Sequence, residues 1–234
     1  MSERASLAAS RARAGPEIPG RRNSSRWLLA AAVVFAAGIV GAGLALSRHH
    51  AAVQPGATAV SGPNIAWAAA KRRAPDFRLR DQAGAPISLG ANRGRVVILT
   101  FTDPVCTTLC PLEARVLNQA ELALPGAERP ALIAVSVNPW ADKTRYFRQD
   151  AVRWRLGSSW RWAIGSRTQL ARVWQAYKIG VRIRRRVFAG ITVHQVDHVE
   201  AAYVIDGRGF ERALFLYPFA ASDLERTIRQ LQRT

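Results

Sequence analysis

Cys106 and Cys110 stand in Asp103-Pro104-Val105-Cys106-Thr107-Thr108-Leu109-Cys110-Pro111, directly after one apolar run and directly before a helical pattern. A thiol at that junction meets the unpaired backbone N–H groups of a helix start, which favour thiolate over thiol. Four residues of separation in a turn or first helical turn also bring two Cα atoms near the ~4.4–6.8 Å of a disulfide. The same spacing lets both sulfurs grip one ion. Three chemistries are therefore open at this pair: a reactive thiolate, a short-loop disulfide in an oxidising compartment, and soft-metal binding.

Two histidines follow late in the chain, in Val193-His194-Gln195-Val196-Asp197-His198. Two cysteines and two histidines invite a tetrahedral zinc site. In an extended segment, however, His194 and His198 share a face at about 13 Å, four steps of ~3.3 Å, too far to hold one ion. One histidine at most joins the cysteines. Two thiolates and one imidazole form a soft donor set that suits copper, Cu(I) above all, better than hard cations. With Met1 the only methionine, no methionine-rich copper site competes.

These residues need elements to hold them. Arg95 to Phe101 and Ala131 to Val137 are short β-branched apolar runs that read as buried strands. Pro111 to Leu124 carries an apolar helical face with Pro111 in the first turn. A helix over Lys143 to Leu156 is expected with Asp142 as cap. Ser166 and Gln169 form a capping-box pair opening Thr168 to Tyr177, with Gly180 to close it. Val199 to Ile205 and Glu211 to Tyr217 flank Gly207-Arg208-Gly209 as a hairpin, and Ser222 with Glu225 is expected to cap a last helix. Alternating strands and helices followed by a hairpin and a helix give an α/β domain: a central mixed sheet covered on both faces.

The chain has 234 residues, 34 Lys+Arg against 16 Asp+Glu, a formal charge of +18, and is 49% apolar. That apolar content excludes a wholly disordered chain, and two cysteines exclude a disulfide-knit mini-protein and a cysteine-only zinc ribbon. Only one long uncharged run exists, Trp27 to Leu46, whose 20 residues make a helix of about 30 Å, long enough to span a bilayer once. Arg4, Arg11, Arg13, Arg21, Arg22 and Arg26 precede it against Glu3 and Glu17, which keeps the N-terminus cytoplasmic and exports the rest. A cleaved signal peptide with Ala45-Leu46-Ser47 as its site is the alternative, and a mitochondrial presequence a lesser one; the apolar run exceeds a signal's usual length. The expected organisation is a basic cytoplasmic stretch 1–26, a transmembrane helix 27–46, a linker 47–73 that includes His49-His50, and a globular domain 74–234.

Several segments then resemble one family. Ala74-Pro75-Asp76-Phe77 with Asp81 and Gly84 looks like a redoxin-type entry, and Val96 to Phe101 followed by Cys-x-x-x-Cys-Pro resembles the SCO/SenC copper chaperones. Ser136-Val137-Asn138-Pro139 stands where that family has Ser-Val-Asp-Pro. Thr168 to Tyr177 is similar to its helix before a long insertion, and Val196-Asp197-His198 leading to Tyr203-Val204-Ile205-Asp206 to its metal-ligand segment. The resemblance covers 74–234 and implies a thioredoxin-like fold. It carries the copper ligands over to Cys106, Cys110 and His198, and gives His194 no role. Thr107-Thr108 replaces the family's usual Pro-Asp, and Asn138 replaces an acid. Thioredoxin-type reductases place Cys-x-x-Cys beside a cis-proline; the extra residue between these thiols and the absence of proline at Asp197-His198 favour metal handling.

The resemblance implies a membrane-tethered copper chaperone in the cell (inner) membrane, its domain extracytoplasmic, that binds a copper ion and hands it to cytochrome c oxidase subunit II or a related copper protein. The alternative is a thiol-disulfide oxidoreductase that reduces the cysteines of an apo copper site, with Cys106 and Cys110 as the redox pair and Cys106 attacking. A peroxidase lacks an identifiable partner arginine. Nucleic-acid binding is discounted despite Arg182, Arg184, Arg185 and Arg186, because an exported domain does not meet nucleic acid. That arginine run, expected in a loop before the histidine segment, suits an acidic docking partner.

Overall fold

A computed structural model describes residues 61–233. Its core begins with Val97–Thr102 (β4) and Ala131–Ser136 (β5), every residue of which is buried. They pair in parallel, Val97 opposite Ala131 through Thr102 opposite Ser136, and Trp160–Ile164 (β6) extends the parallel set from β5. Parallel neighbours need a crossover, and Cys110–Leu122 (α1) makes the one between β4 and β5.

Antiparallel strands complete the sheet on both sides. Ala201–Ile205 (β9) pairs with β4, Glu211–Leu216 (β10) with β9, and Ile65–Ala66 (β1) with β10. Beyond β6 lie Arg78–Asp81 (β2) and Pro86–Ser88 (β3). The order is β1-β10-β9-β4-β5-β6-β2-β3, the mixed α/β sheet expected, widened at its edges by three short strands that carry little periodic signal.

Strand parity sorts the core into two layers. Val97, Leu99, Phe101, Ile133, Val135, Tyr203 and Ile205 face Arg167–Ala176 (α3). Ile98, Leu132, Ala134, Ala202 and Val204 face the layer that holds Leu117 of α1, Phe147 of Thr144–Arg153 (α2) and Leu224 and Ile228 of Ala221–Gln232 (α4). Both faces are covered, as a parallel core requires.

Helix α3 starts as its sequence dictates, with Ser166 Oγ accepting from Gln169 N–H and the Gln169 side chain accepting from Ser166 N–H. Three other terminal assignments change. Asp142 does not cap α2; its carboxylate accepts from Ser136 Oγ at 2.6 Å, and Lys143 holds the cap position without a side-chain bond. Helix α3 ends at Tyr177 with Lys178, not Gly180, in the left-handed region. Helix α4 opens one residue earlier than Ser222, and Asp223 instead accepts from Gly62 N–H and pairs with Arg226.

Val181–Phe188 (β7) and Ile191–His198 (β8) form a separate two-stranded sheet joined by Ala189-Gly190, both at positive φ, the two-residue turn that suits strand twist. The arginine run therefore lies in a strand rather than a loop. Alternation in Val181-Arg182-Ile183-Arg184 explains it: Val181 and Ile183, with Val196 opposite, pack on the α3-side core, while Arg182 and Arg184 stay exposed.

The apolar run Trp27 to Leu46, the linker up to residue 60 and His49-His50 lie outside the described residues. Among those described, no helix is long and apolar enough to cross a membrane.

Candidate metal and thiol site

Strand β4 ends at Thr102, and the chain turns before α1: Val105 N–H donates to Asp103 Oδ1, and Cys106 N–H to the Asp103 carbonyl. Cys106 sits in this turn, partly exposed; Cys110 opens α1 and is 1% exposed, with Pro111 behind it in the first turn. Both cysteines are free, with no bond between them, in this structure. Exposed Val105 and Leu109 rim the turn.

The hairpin brings the histidine. β8 runs unbroken from Ile191 to His198, so His194 and His198 share a face four residues apart, and the two diverge as their spacing requires. His198 Nε2 lies 3.4 Å from Cys110 Sγ, across 88 residues of sequence. Its Nδ1 meets the Val199 carbonyl at 3.2 Å; donation there leaves the Nε2 lone pair facing the sulfur. His194 goes elsewhere, stacked on Trp140 with ring centroids 3.8 Å apart.

Two residues that the spacing rules did not select complete the site. Glu200 is 8% exposed, and its Oε1 lies 3.2 Å from Cys110 Sγ and 3.3 Å from His198 Nε2. Donor atoms of Cys106, Cys110 and Glu200 all fall within 4.8 Å of one another. His198 reaches Cys110 and Glu200 but is not within that limit of all three, so it approaches the pair from the Cys110 side. Beneath Glu200 sits Glu113 of α1, fully buried and accepting from Thr100 Oγ1 at 3.2 Å. A parity signal existed: Glu200 shares its parity with Ala202 and Val204, hence the α1 side of the sheet, and Thr100 shares that of Ile98.

Electrostatics separate the two thiols. Donation from the Cys110 S–H, opposed by burial and helped by Thr108, brings Cys106 down to about 4. Cys110 is pushed far above the ordinary thiol range by that same hydrogen bond, then by burial and the charge of Glu200. Cys106 is thus the thiolate and Cys110 the proton holder. Burial, and then its proximity to Glu200, raises Glu113 well above the carboxyl range, so it keeps a proton and hydrogen-bonds Glu200. Burial raises Glu200 as well, with His198 and the donors around it working in the opposite sense.

Asn138 has a physical place too. Its Nδ2 donates to both Asp103 oxygens, at 3.1 and 3.2 Å, beneath the cysteine turn. Burial raises Asp103, and an acid at position 138 would set two buried carboxyls against each other. Ser136 Oγ accepts from Asn138 N–H, so this segment forms one polar floor under the turn.

The arrangement offers two sulfurs, an imidazole nitrogen and a carboxylate at the end of β4, on a helix start. It equally offers a partly exposed thiolate backed by a buried thiol.

The fold is shared with solved proteins. Bradyrhizobium japonicum ScoI with copper bound aligns at TM-score 0.56 and 19% identity, covering 69% of this chain and 98% of that one. Yeast Sco1 with copper bound aligns at 0.61 and 16%, covering 70% and 90%. BsSco, described with a disulfide switch and as a member of the Sco family of cytochrome c oxidase assembly proteins, aligns at 0.55 and 18%, covering 73% and 97%. No curated protein matches the sequence. The SCO1/SenC family model matches residues 66–233, which span strands β2 to β10, the cysteine turn and the histidine hairpin, and the chain therefore belongs to the SCO1/SenC family.

Proposed function

We propose that this protein is a copper chaperone that holds one copper ion through Cys106, Cys110 and His198 and passes it to cytochrome c oxidase subunit II. One observation carries the reading: His198 meets Cys110 at 3.4 Å although 88 residues separate them. Membership of a family with copper-bound members supports it, as does the softness of two sulfurs and an imidazole. Transfer by ligand exchange fits the layout, because partly exposed Cys106 in its apolar rim is open to an incoming ligand while Cys110 is buried. Residues 27–46 tether the domain to the inner membrane on its extracytoplasmic side, within reach of a membrane-bound acceptor; the supporting observation is the length and charge flank of that apolar run.

Copper retention tests the site. The reduced chain is expected to keep about one copper per molecule after loading and desalting, and Cys106→Ser, Cys110→Ser and His198→Ala each to weaken retention by at least about tenfold. Unchanged retention in His198→Ala overturns the three-ligand reading.

The Cys106 thiolate favours a second reading, reduction of an oxidised apo copper site. Cys106 attacks a target disulfide, forms a mixed disulfide and releases one target thiolate; Cys110 then displaces the second target sulfur, leaving Cys106–Cys110 oxidised and the target dithiol reduced. In copper-free buffer, a mixed disulfide trapped by Cys110→Ser supports this activity, and failure to trap one with an oxidised subunit II domain counts against it.

A further inference from the structure

The copper reading uses two sulfurs and one nitrogen, yet a fourth donor faces the same point. Glu200 Oε1 lies 3.2 Å from Cys110 Sγ and 3.3 Å from His198 Nε2, and the carboxylate falls within 4.8 Å of both sulfurs. The side chain is 94% buried. No lysine or arginine among the described residues pairs with it; the groups around it are the Cys110 thiol, the His198 ring and the protonated Glu113 carboxyl behind it, none of them a fixed cation. A buried carboxylate without a cation is costly unless something positive joins it.

Its placement is rigid. Tyr217 N–H donates to the Glu200 carbonyl as β9 begins, and the parity of that strand directs the side chain towards α1 and Cys110. Glu113 lies behind it, itself held by Thr100. The donors come from three separately anchored pieces: the turn and first residue of α1, the end of β8, and the start of β9.

From this convergence we infer that Glu200 is the fourth ligand of a divalent copper ion in this chain. The inference rests on the copper reading above and deepens it. Two thiolates suffice for Cu(I), which is soft and accepts low coordination; Cu(II) gains from nitrogen and anionic oxygen donors and prefers at least four. The carboxylate therefore confers a preference for oxidation state. It strengthens binding of Cu(II) and adds little for Cu(I), so the site holds both states rather than the reduced one alone. A role confined to orienting His198 by hydrogen bonding predicts something different, because glutamine keeps the shape and one acceptor oxygen of glutamate while losing its charge and most of its affinity for a metal.

The experiment compares the full-length native chain with Glu200→Gln, each reduced, loaded anaerobically with one equivalent of Cu(II) or Cu(I), and titrated with competing chelators of each ion. Glu200→Gln is expected to lose at least about tenfold in Cu(II) affinity, to change its Cu(II) electron paramagnetic resonance parameters, and to move less than about threefold for Cu(I). Superimposable resonance spectra with equal Cu(II) affinity overturn the inference and leave the three-ligand reading intact. A native chain that takes up neither ion overturns the copper reading itself. If the variant does not fold, infrared difference spectra of the native chain labelled with 13C-glutamate decide: an isotope-sensitive carboxylate band that shifts on Cu(II) addition is expected, and its absence refutes ligation.

Discussion

Replacing Cys110 by alanine removes the S–H that stabilises the Cys106 thiolate, and the size of the effect follows from the structure. Cys106 sits at about 4, against 9.0 for an ordinary thiol, and donation from Cys110 is the largest cause. A hydrogen bond to a charged group contributes about 1.5–3 kcal/mol, which is about one to two pH units on the titration of its acceptor. The midpoint of Cys106 should therefore move from about 4 to about 5–6, with Thr108 still contributing. At pH 5 the thiolate fraction falls from roughly nine-tenths to between a half and a tenth, whereas at pH 8 it barely changes. Initial alkylation rates with iodoacetamide, measured from pH 3.5 to 9 on metal-free protein, report this directly, because only one thiol remains in the variant. Cys110→Ser serves as the control, since its hydroxyl still donates and its midpoint should stay nearer the native one. A native midpoint near that of a free thiol, or a Cys110→Ala midpoint indistinguishable from native, refutes the assignment of thiolate and proton holder.

Asn138→Ala removes the two Asn138 hydrogen bonds to the buried Asp103 carboxyl, leaving it the one from Val105 N–H, and should cost about 1–3 kcal/mol in urea unfolding; a loss under about 0.5 kcal/mol contradicts the polar-floor description. Burial raises Asp150 to about 7. Between its ordinary 3.8 and 7 the folded chain keeps a proton that the unfolded chain releases, so stability falls as pH rises through that window, by up to about 1.4 kcal/mol per unit. Asp150→Asn should therefore be more stable than native at pH 8 and nearly equal at pH 4, and parallel pH profiles for the two proteins would exclude this origin. Arg182→Glu with Arg186→Glu, both on the exposed face of β7, should slow copper transfer to an acidic acceptor at low salt and much less at high salt; equal rates at low salt remove the arginine stripe from docking.

Much of the site was legible because it is local. The fully buried β4, the turn and the Pro111-led helix follow one another within a single stretch, so the position of the cysteines at a strand-to-helix junction needed no tertiary information. The capping box at Ser166 was equally readable, because its partners lie three residues apart. Ser222 and Glu225 offered the same pattern without forming it: the helix starts at Ala221, and Asp223 in its first turn takes Gly62 N–H and Arg226. The arginine strand carried its alternation openly, but charge in an exposed hairpin reads like a loop when the apolar partners, Val181, Ile183 and Val196, are few. β1 to β3 are short, and β1 and β2 pair with strands far along the chain; Ile65, for instance, lies opposite Leu214, and Arg80 opposite Ile164.

Sequence alone determined that two thiols stand at a helix start and that His194 and His198 cannot serve one ion together, because rise per residue is a property of the backbone. Tertiary structure decided which donors meet. His198 comes to Cys110 only because the hairpin packs its inner face on the α3-side core, and His194 is drawn off to Trp140 along the same strand. Glu200 joins them because β9 inserts between β4 and β10, and the register of that pairing turns its even-numbered residues towards α1. Periodicity says which residues share a face; burial of the whole sheet fixes which faces touch.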